Sequence, residues 1–280
     1  MNMKRFARRF WKQKAAAAAF IFLCLLILAA ILIPCLSPYT YEMQNIKGQN
    51  QGSSFAHLLG TDRLGRDLLV RVAEGIRISL TVGGVSAAVS TAVGIIYGGI
   101  AGYRGKKTDL ILMRIADVIC AVPSLLYIIL LMLAAGPGIV SVTAGICIAG
   151  WIDTARLVRS GVQREKAKDY CLAARFTGAS EGRVLFVHLM PNLAGQILVN
   201  GVYTMIQAIF TEAFLSFAGV GIAAPMASLG TLIQDARSQL LTYPMQLLWP
   251  SLLLCLIVFS LHCISTGVIR AQDTSGRSDR

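Results

Sequence analysis

The sequence predicts an all-α, polytopic membrane protein with six transmembrane helices, and three observations carry that expectation. Hydrophobic residues make up 55% of the 280 and charged residues only 14%. Mean hydropathy is +0.65, a composition that cannot wrap a single core in a water-soluble surface. Uncharged runs long enough to cross about 30 Å of hydrocarbon recur along the chain, and the basic residues concentrate in alternate connections between them. The net charge of +12 is confined to short patches beside apolar runs, not spread over an aromatic-studded face, so nucleic acid is excluded as a partner and the lipid bilayer is the expected one. The seven cysteines, Cys24, Cys35, Cys120, Cys147, Cys171, Cys255 and Cys263, contain no CxxC pair and lie mostly in apolar segments. They read as small packing residues, with no disulfide or metal site expected.

Residues 1–14 hold six basic side chains and no acid, and residues 15–36 follow as an uncharged first span. That run is too long for a secretory signal and lacks a small-x-small cleavage site. Residues 37–77 are polar and include HLLGTDRLGRDLLVRVAEG, read as an external segment containing a short amphipathic helix. The second span is expected over 78–103, where Gly94, Gly98 and Gly102 line one face and invite close approach of another backbone. The basic loop after it, GYRGKKT, lacks the glycine and Ser/Thr positions of a phosphate-binding loop. The uncharged stretch 118–152 is too long for one span, and Gly136-Pro137-Gly138 divides it into a helical hairpin. Asp117, at its start, is either an intramembrane functional acid or a polar contact to a neighbouring helix. A polar loop is expected from Asp153 to Asn192 and a fifth span over 193–211, with Glu212 at its far end. A Gly- and Ala-rich stretch, 215–243, precedes a final span over 245–269 and a tail, 271–280.

Six spans put both termini on one side. The N-terminal tail, the loops after the second and fourth spans and the C-terminal tail hold 20 of the 26 basic residues. That asymmetry predicts a cytoplasmic location for all four, with 78–270 forming the core bundle.

The loop 163–192 is charged yet helical in pattern. Drawn as one helix from Arg164 to Thr177, it places Ala167, Tyr170, Cys171 and Ala174 on one stripe that Gly178 continues. Leu172 and Phe176 form a separate apolar pair at i, i+4. Gly178 suits a helix end, Ser180 an N-cap, and Pro191-Asn192 the end of the second helix. The pattern alone fits either a hairpin lying on the lipid surface or a lever that packs on its own spans with one stripe and meets a partner with the other.

Residues Ala173, Ala174, Gly178, Met190 and Pro191 resemble the "EAA" loop of bacterial ABC importer permeases, the element that docks in a cleft on the ATPase subunit. GTDRLGRDLLVRVAEGIRISL (60–80), RIADVICAVPSLL (114–126) and EAFLSFAGVG (212–221) narrow the resemblance to the C-type permease of dipeptide, oligopeptide and nickel importers. Departures stand at Leu172, where the family has glutamate, and at Met190 and Leu229, in place of leucine and tryptophan. Ser265-Thr266-Gly267 replaces Gly-Asp-Gly, and Ile269 replaces arginine. The resemblance implies a type I ABC importer permease fold in a bacterial cytoplasmic membrane, with no catalytic residue, metal or cofactor of its own. It implies as partners a second homologous permease, two ATP-hydrolysing subunits and an external solute-binding protein. It also assigns ATPase coupling to Asp169, Tyr170, Leu172, Ala173, Ala174, Phe176, Gly178 and Pro191, and leaves peptide and nickel or a metal chelate as alternative cargoes. The competing class, an ion-coupled secondary transporter, calls for paired discontinuous helices and internal repeats, and no repeat is evident.

Overall fold

The computed structural model describes residues 3–272, with the side chains of residues 3–5, Leu172 and Arg175 outside the described set. Its elements are α1 (Met3–Trp11), α2 (Lys14–Leu36), α3 (Leu68–Arg104), α4 (Lys106–Ala121), α5 (Ser124–Ala135), α6 (Ile139–Lys166), α7 (Asp169–Phe176), α8 (Glu181–Phe217), α9 (Leu229–Arg237) and α10 (Pro244–Gln272). Five of these helices, α2, α3, α6, α8 and α10, are long and apolar enough to cross a membrane, and α4 with α5, bent by 73° at their break, passes the same test as a pair, in the form of a broken span or a re-entrant loop. The bend falls at Val122–Pro123, because a proline disfavours helical backbone at the residue before it. Gly136-Pro137-Gly138 separates α5 from α6 as expected, but the first limb of that hairpin is itself broken.

The glycine face of α3 meets α6. A methyl group on Gly98 would overlap the Ala155 carbonyl, and one on Gly102 would lie 2.7 Å from that of Arg159. Gly94 faces Thr154 and the Trp151 carbonyl in the same way, 2.5 and 2.9 Å from where its methyl would sit. In lipid, where hydrophobic burial does not drive helices together, such backbone proximity supplies the packing energy.

At the other side of the molecule residues 37–67 form an ordered loop with one short 3-10 turn (Ile46–Gly48), in place of the expected amphipathic helix. The helical pattern after Asp67 belongs instead to α3, which begins ten residues before the expected span with Asp67 as its N-cap, accepting from the Val70 N–H at 2.9 Å. The loop is knitted by charges that composition does not pair. Buried Asp62 accepts from Arg66 Nε at 2.7 Å and from Arg71 at 2.6 Å. Asp235 of α9 meets Arg63, Arg66 and Arg71 at 3.2–3.3 Å. Burial alone would push the Asp62 carboxyl up, but the Arg66 backbone N–H and the Arg71 and Arg66 charges outweigh it and hold the carboxyl below its ordinary value. Gln246 of α10 adds hydrogen bonds to Asn50 Oδ1 and the Thr61 carbonyl, both at 2.9 Å.

Removing Asp62 leaves buried Arg66 and Arg71 with only the longer, more exposed contacts to Asp235. Asp62→Asn is therefore expected to cost about 3 kcal/mol, read as a lowered thermal unfolding midpoint of the purified protein. A depressed carboxylate stabilises fully above its unfolded value of about 3.9 and loses that contribution only as pH falls through the lower folded value. The Asp62 contribution is thus constant from pH 5 to 8, and a wild-type to D62N difference that varied across that range would contradict it.

Glu212 does not mark the end of its span. It lies inside α8, fully buried, accepting from Ser79 of α3 at 2.9 Å and Ser216 at 2.8 Å. Asp117 takes the contact reading, pairing with Arg156 of α6 at 2.9 Å.

Candidate functional site

The helix drawn from Arg164 to Thr177 is two helices. α6 continues the fourth span straight through the expected polar loop to Lys166. A turn at Ala167-Lys168 then redirects the chain into α7, closed by Lys168 N–H to the Glu165 carbonyl at 3.1 Å and Cys171 N–H to the Lys168 carbonyl at 3.0 Å. The break rotates the expected stripe. Cys171 is fully buried and Ala174 half-buried against Val158, Val162, Val184, Leu185 and Leu189, whereas Ala167 and Tyr170 are exposed. Asp169, at the helix start, and Ala173 are also exposed.

Tyr170 nevertheless holds the helix in place. Its hydroxyl donates to Glu165 Oε2 at 2.7 Å and accepts from Asn192 Nδ2 at 2.9 Å, so one side chain ties α7 to the end of α6 and the start of α8. Lys168 Nζ completes the clasp on Glu165 at 2.6 Å. Partial burial, then the bond to Glu165, push the phenol above its ordinary value. Behind the clasp, Asp109 of α4 binds Arg159 and Gln163 of α6.

Gly178 adopts φ +81°, where the absent Cβ removes the steric penalty. Ala179 N–H reaches back to the Ala174 carbonyl at 3.1 Å, closing α7 with the five-back bond of a Schellman-type end. Ser180 caps the next helix, accepting from Arg183 N–H at 3.4 Å.

That next helix does not stop at Pro191-Asn192. Residues Val184–Leu189 form a π-turn, Met190 N–H bonds the Leu185 carbonyl, and the helix runs on as the fifth span to Phe217. The wide turn puts the missing proline donor at a seam where hydrogen-bond register changes, so the chain continues through it.

The outcome is a short helix fixed on one side and bare on the other. Phe176 is 89% exposed, touching almost nothing of its own chain. Leu172, the other half of the expected apolar pair, lies outside the described residues, whereas Pro191 is exposed near the foot of the same hairpin. Glu165, Lys168 and Asn192 were not among the expected site residues. Only Asn192 had a sequence signal, its place beside Pro191, and that pointed to a helix end instead of a hydrogen bond. Among the described residues no group of three metal-ligating side chains converges.

A bundle of five helices long enough to span and one bent helix pair, carrying a clasped helix at one end, has the architecture of an ABC importer's membrane subunit. The inward-facing MetNI methionine ABC transporter contains a chain that superposes with TM-score 0.56, covering 72% of this chain and 96% of that one, at 18% identity. The chain belongs to the family described as binding-protein-dependent transport system inner membrane components, whose profile matches residues 94–275, and residues 2–54 match the N-terminal TM domain of oligopeptide transport permease C. Among its relatives, the oligopeptide transport system permease protein OppC of Bacillus subtilis is 42% identical over 95% of this chain and 87% of its own. The dipeptide permease DppC of the same organism is 39% identical over 95% and 83%. The glutathione transport system permease GsiD of Pectobacterium atrosepticum is 36% identical over 98% and 92%.

Proposed function

We propose that this chain is the permease subunit of an ATP-driven importer of di- or oligopeptides, forming half of the translocation pathway with a second, homologous permease. In this reading α7 is its coupling element to two ATPase subunits, and an external solute-binding protein delivers the cargo. The observation that carries the coupling role is Phe176, an almost fully exposed aromatic on a helix that Tyr170, Cys171 and Gly178 hold rigidly. A large apolar side chain in that position suits insertion into a partner's cleft. ATP binding draws the ATPases together, and a clasped α7 passes the displacement to α6 and α8 as a lever. Asp169, Ala173, Ala174 and Pro191 shape the docking hairpin, and Leu172 adds apolar character where relatives of this type carry an acid. The concentration of basic residues on the α7 side supports a cytoplasmic location for that end and for both termini, in a bacterial cytoplasmic membrane.

Peptide cargo rests on the names of the relatives. Uptake into proteoliposomes holding the four-subunit complex, with binding protein outside, tests it with labelled peptides and with nickel. ATP-dependent peptide uptake is the expected result. Nickel uptake alone would replace the cargo, and uptake driven by an ion gradient without the ATPases would overturn the coupling.

A further inference from the structure

A cavity of about 510 Å³ opens between the α4–α5 break, α6 and α8. The wall supplied by α8 is polar in a way a lipid-facing helix is not. Asn200, Tyr203, Thr204, Gln207 and Thr211 line the cavity, and their spacing keeps them on one helical stripe. Opposite stand Pro123, Ser124 and Cys120 at the break, and Asp153 of α6. Asp153 is 88% exposed, its nearest cation being Arg156 at 4.0 Å. Asp153 follows the uncharged run 139–152 of α6 directly, and a carboxylate bare to that degree at the end of an apolar run faces water or a polar ligand, not hydrocarbon. The broken helix agrees, since non-helical backbone between two apolar helices is tolerated in lipid only where it is buried in protein or lines a wet cavity.

The stripe is only partly used by the chain itself. Asn200 donates to Thr154 Oγ1 at 2.7 Å and Thr204 to the Asn200 carbonyl at 3.0 Å. Gln207 is exposed to the cavity and its amide has no hydrogen-bond partner among the described residues.

We propose that this cavity is the chain's share of the solute pathway and that Gln207, at the centre of the α8 stripe, hydrogen-bonds the main-chain amides of a passing peptide. A primary amide both donates and accepts, matching any peptide group whatever its side chain, so such a lining passes peptides of varied sequence. The single carboxylate and absence of basic side chains on the lining favour an amide-rich or ammonium-bearing solute over an anion. The peptide part rests on the function proposed above; the pathway part does not.

The test uses the assembled complex in vesicles with Cys120 as its sole cysteine. A charged, membrane-impermeant thiol reagent is expected to modify Cys120, and saturating trialanine to slow that modification at least fivefold. Gln207→Leu is expected to raise the half-saturating trialanine concentration for uptake at least tenfold while the ATPases still co-purify, and Gln207→Asn to recover most of the loss. Modification of Cys120 only by a lipid-soluble reagent would overturn the pathway, showing that lipid or the second permease covers this face. Unchanged uptake by Gln207→Leu would overturn the hydrogen-bonding role. A wild-type complex that moves no peptide while Cys120 reacts from water would support the pathway and overturn the peptide.

Discussion

Phe176→Asp is expected to leave the permease folded and inserted while abolishing its association with the ATPase subunits. The side chain is 89% exposed, so the chain's own stability should move by less than about 0.5 kcal/mol, as for other surface substitutions free of partners. At a docked interface the same change removes an aromatic anchor, worth about 2 kcal/mol or more, and adds a carboxylate that would be desolvated on docking. Together these lower affinity by more than about thirtyfold. Co-purification of tagged ATPases with wild-type and variant complexes measures it, with membrane level and thermal midpoint of the permease as controls. ATPase retention equal to wild type would mean that α7 is not the docking element, whatever its shape.

Gly98→Val should fail earlier, at folding. Its Cβ would fall on the Ala155 backbone, main chain inside a packed helix that cannot rotate away. Core overpacking ordinarily costs 1–3 kcal/mol. A Cβ driven into main chain exceeds that and should approach the roughly 4 kcal/mol that only exceptional substitutions reach. Gly84, on the same helix, has nothing within 4 Å of its would-be methyl, and Gly84→Ala should be neutral or slightly stabilising through helix propensity. Detergent-extracted yield and thermal midpoint of the two variants give the comparison. A G98V protein that accumulates and melts like wild type would remove the close α3–α6 crossing from the account.

Much of this architecture is local chemistry and therefore legible. Helices α2 and α10 begin and end within a few residues of the limits expected for the first and last spans, because a long uncharged run satisfies its backbone in lipid by staying helical. Gly136-Pro137-Gly138 divides two helices because neither residue type continues one. Gly178 ends α7 for the same reason, and the glycine series on α3 is a packing face whichever helix meets it. Where expectation and structure part, the missing information is non-local. Asp153 to Lys166 is polar enough to read as a loop, but α8 gives Thr154 a partner, α4 gives Arg159 and Gln163 theirs and α3 gives Lys166 one, so the helix persists. Pro191 ends a helix in isolation, and the π-turn before it lets this one pass.

The sequence by itself determined the membrane class, the apolar helices that can span and the resemblance of the 163–192 loop to a coupling element, since hydropathy, backbone restriction and motif spacing are properties of neighbours in the chain. The tertiary structure alone decided which face of α7 is buried, that Tyr170 clasps Glu165 and Asn192, that Asp235 closes a charge network with arginines more than 160 positions away, and that the polar stripe of α8 faces the α4–α5 break. Each depends on which helices approach one another and at what rotation, and in lipid that is set by contact and hydrogen bonding between surfaces distant in sequence.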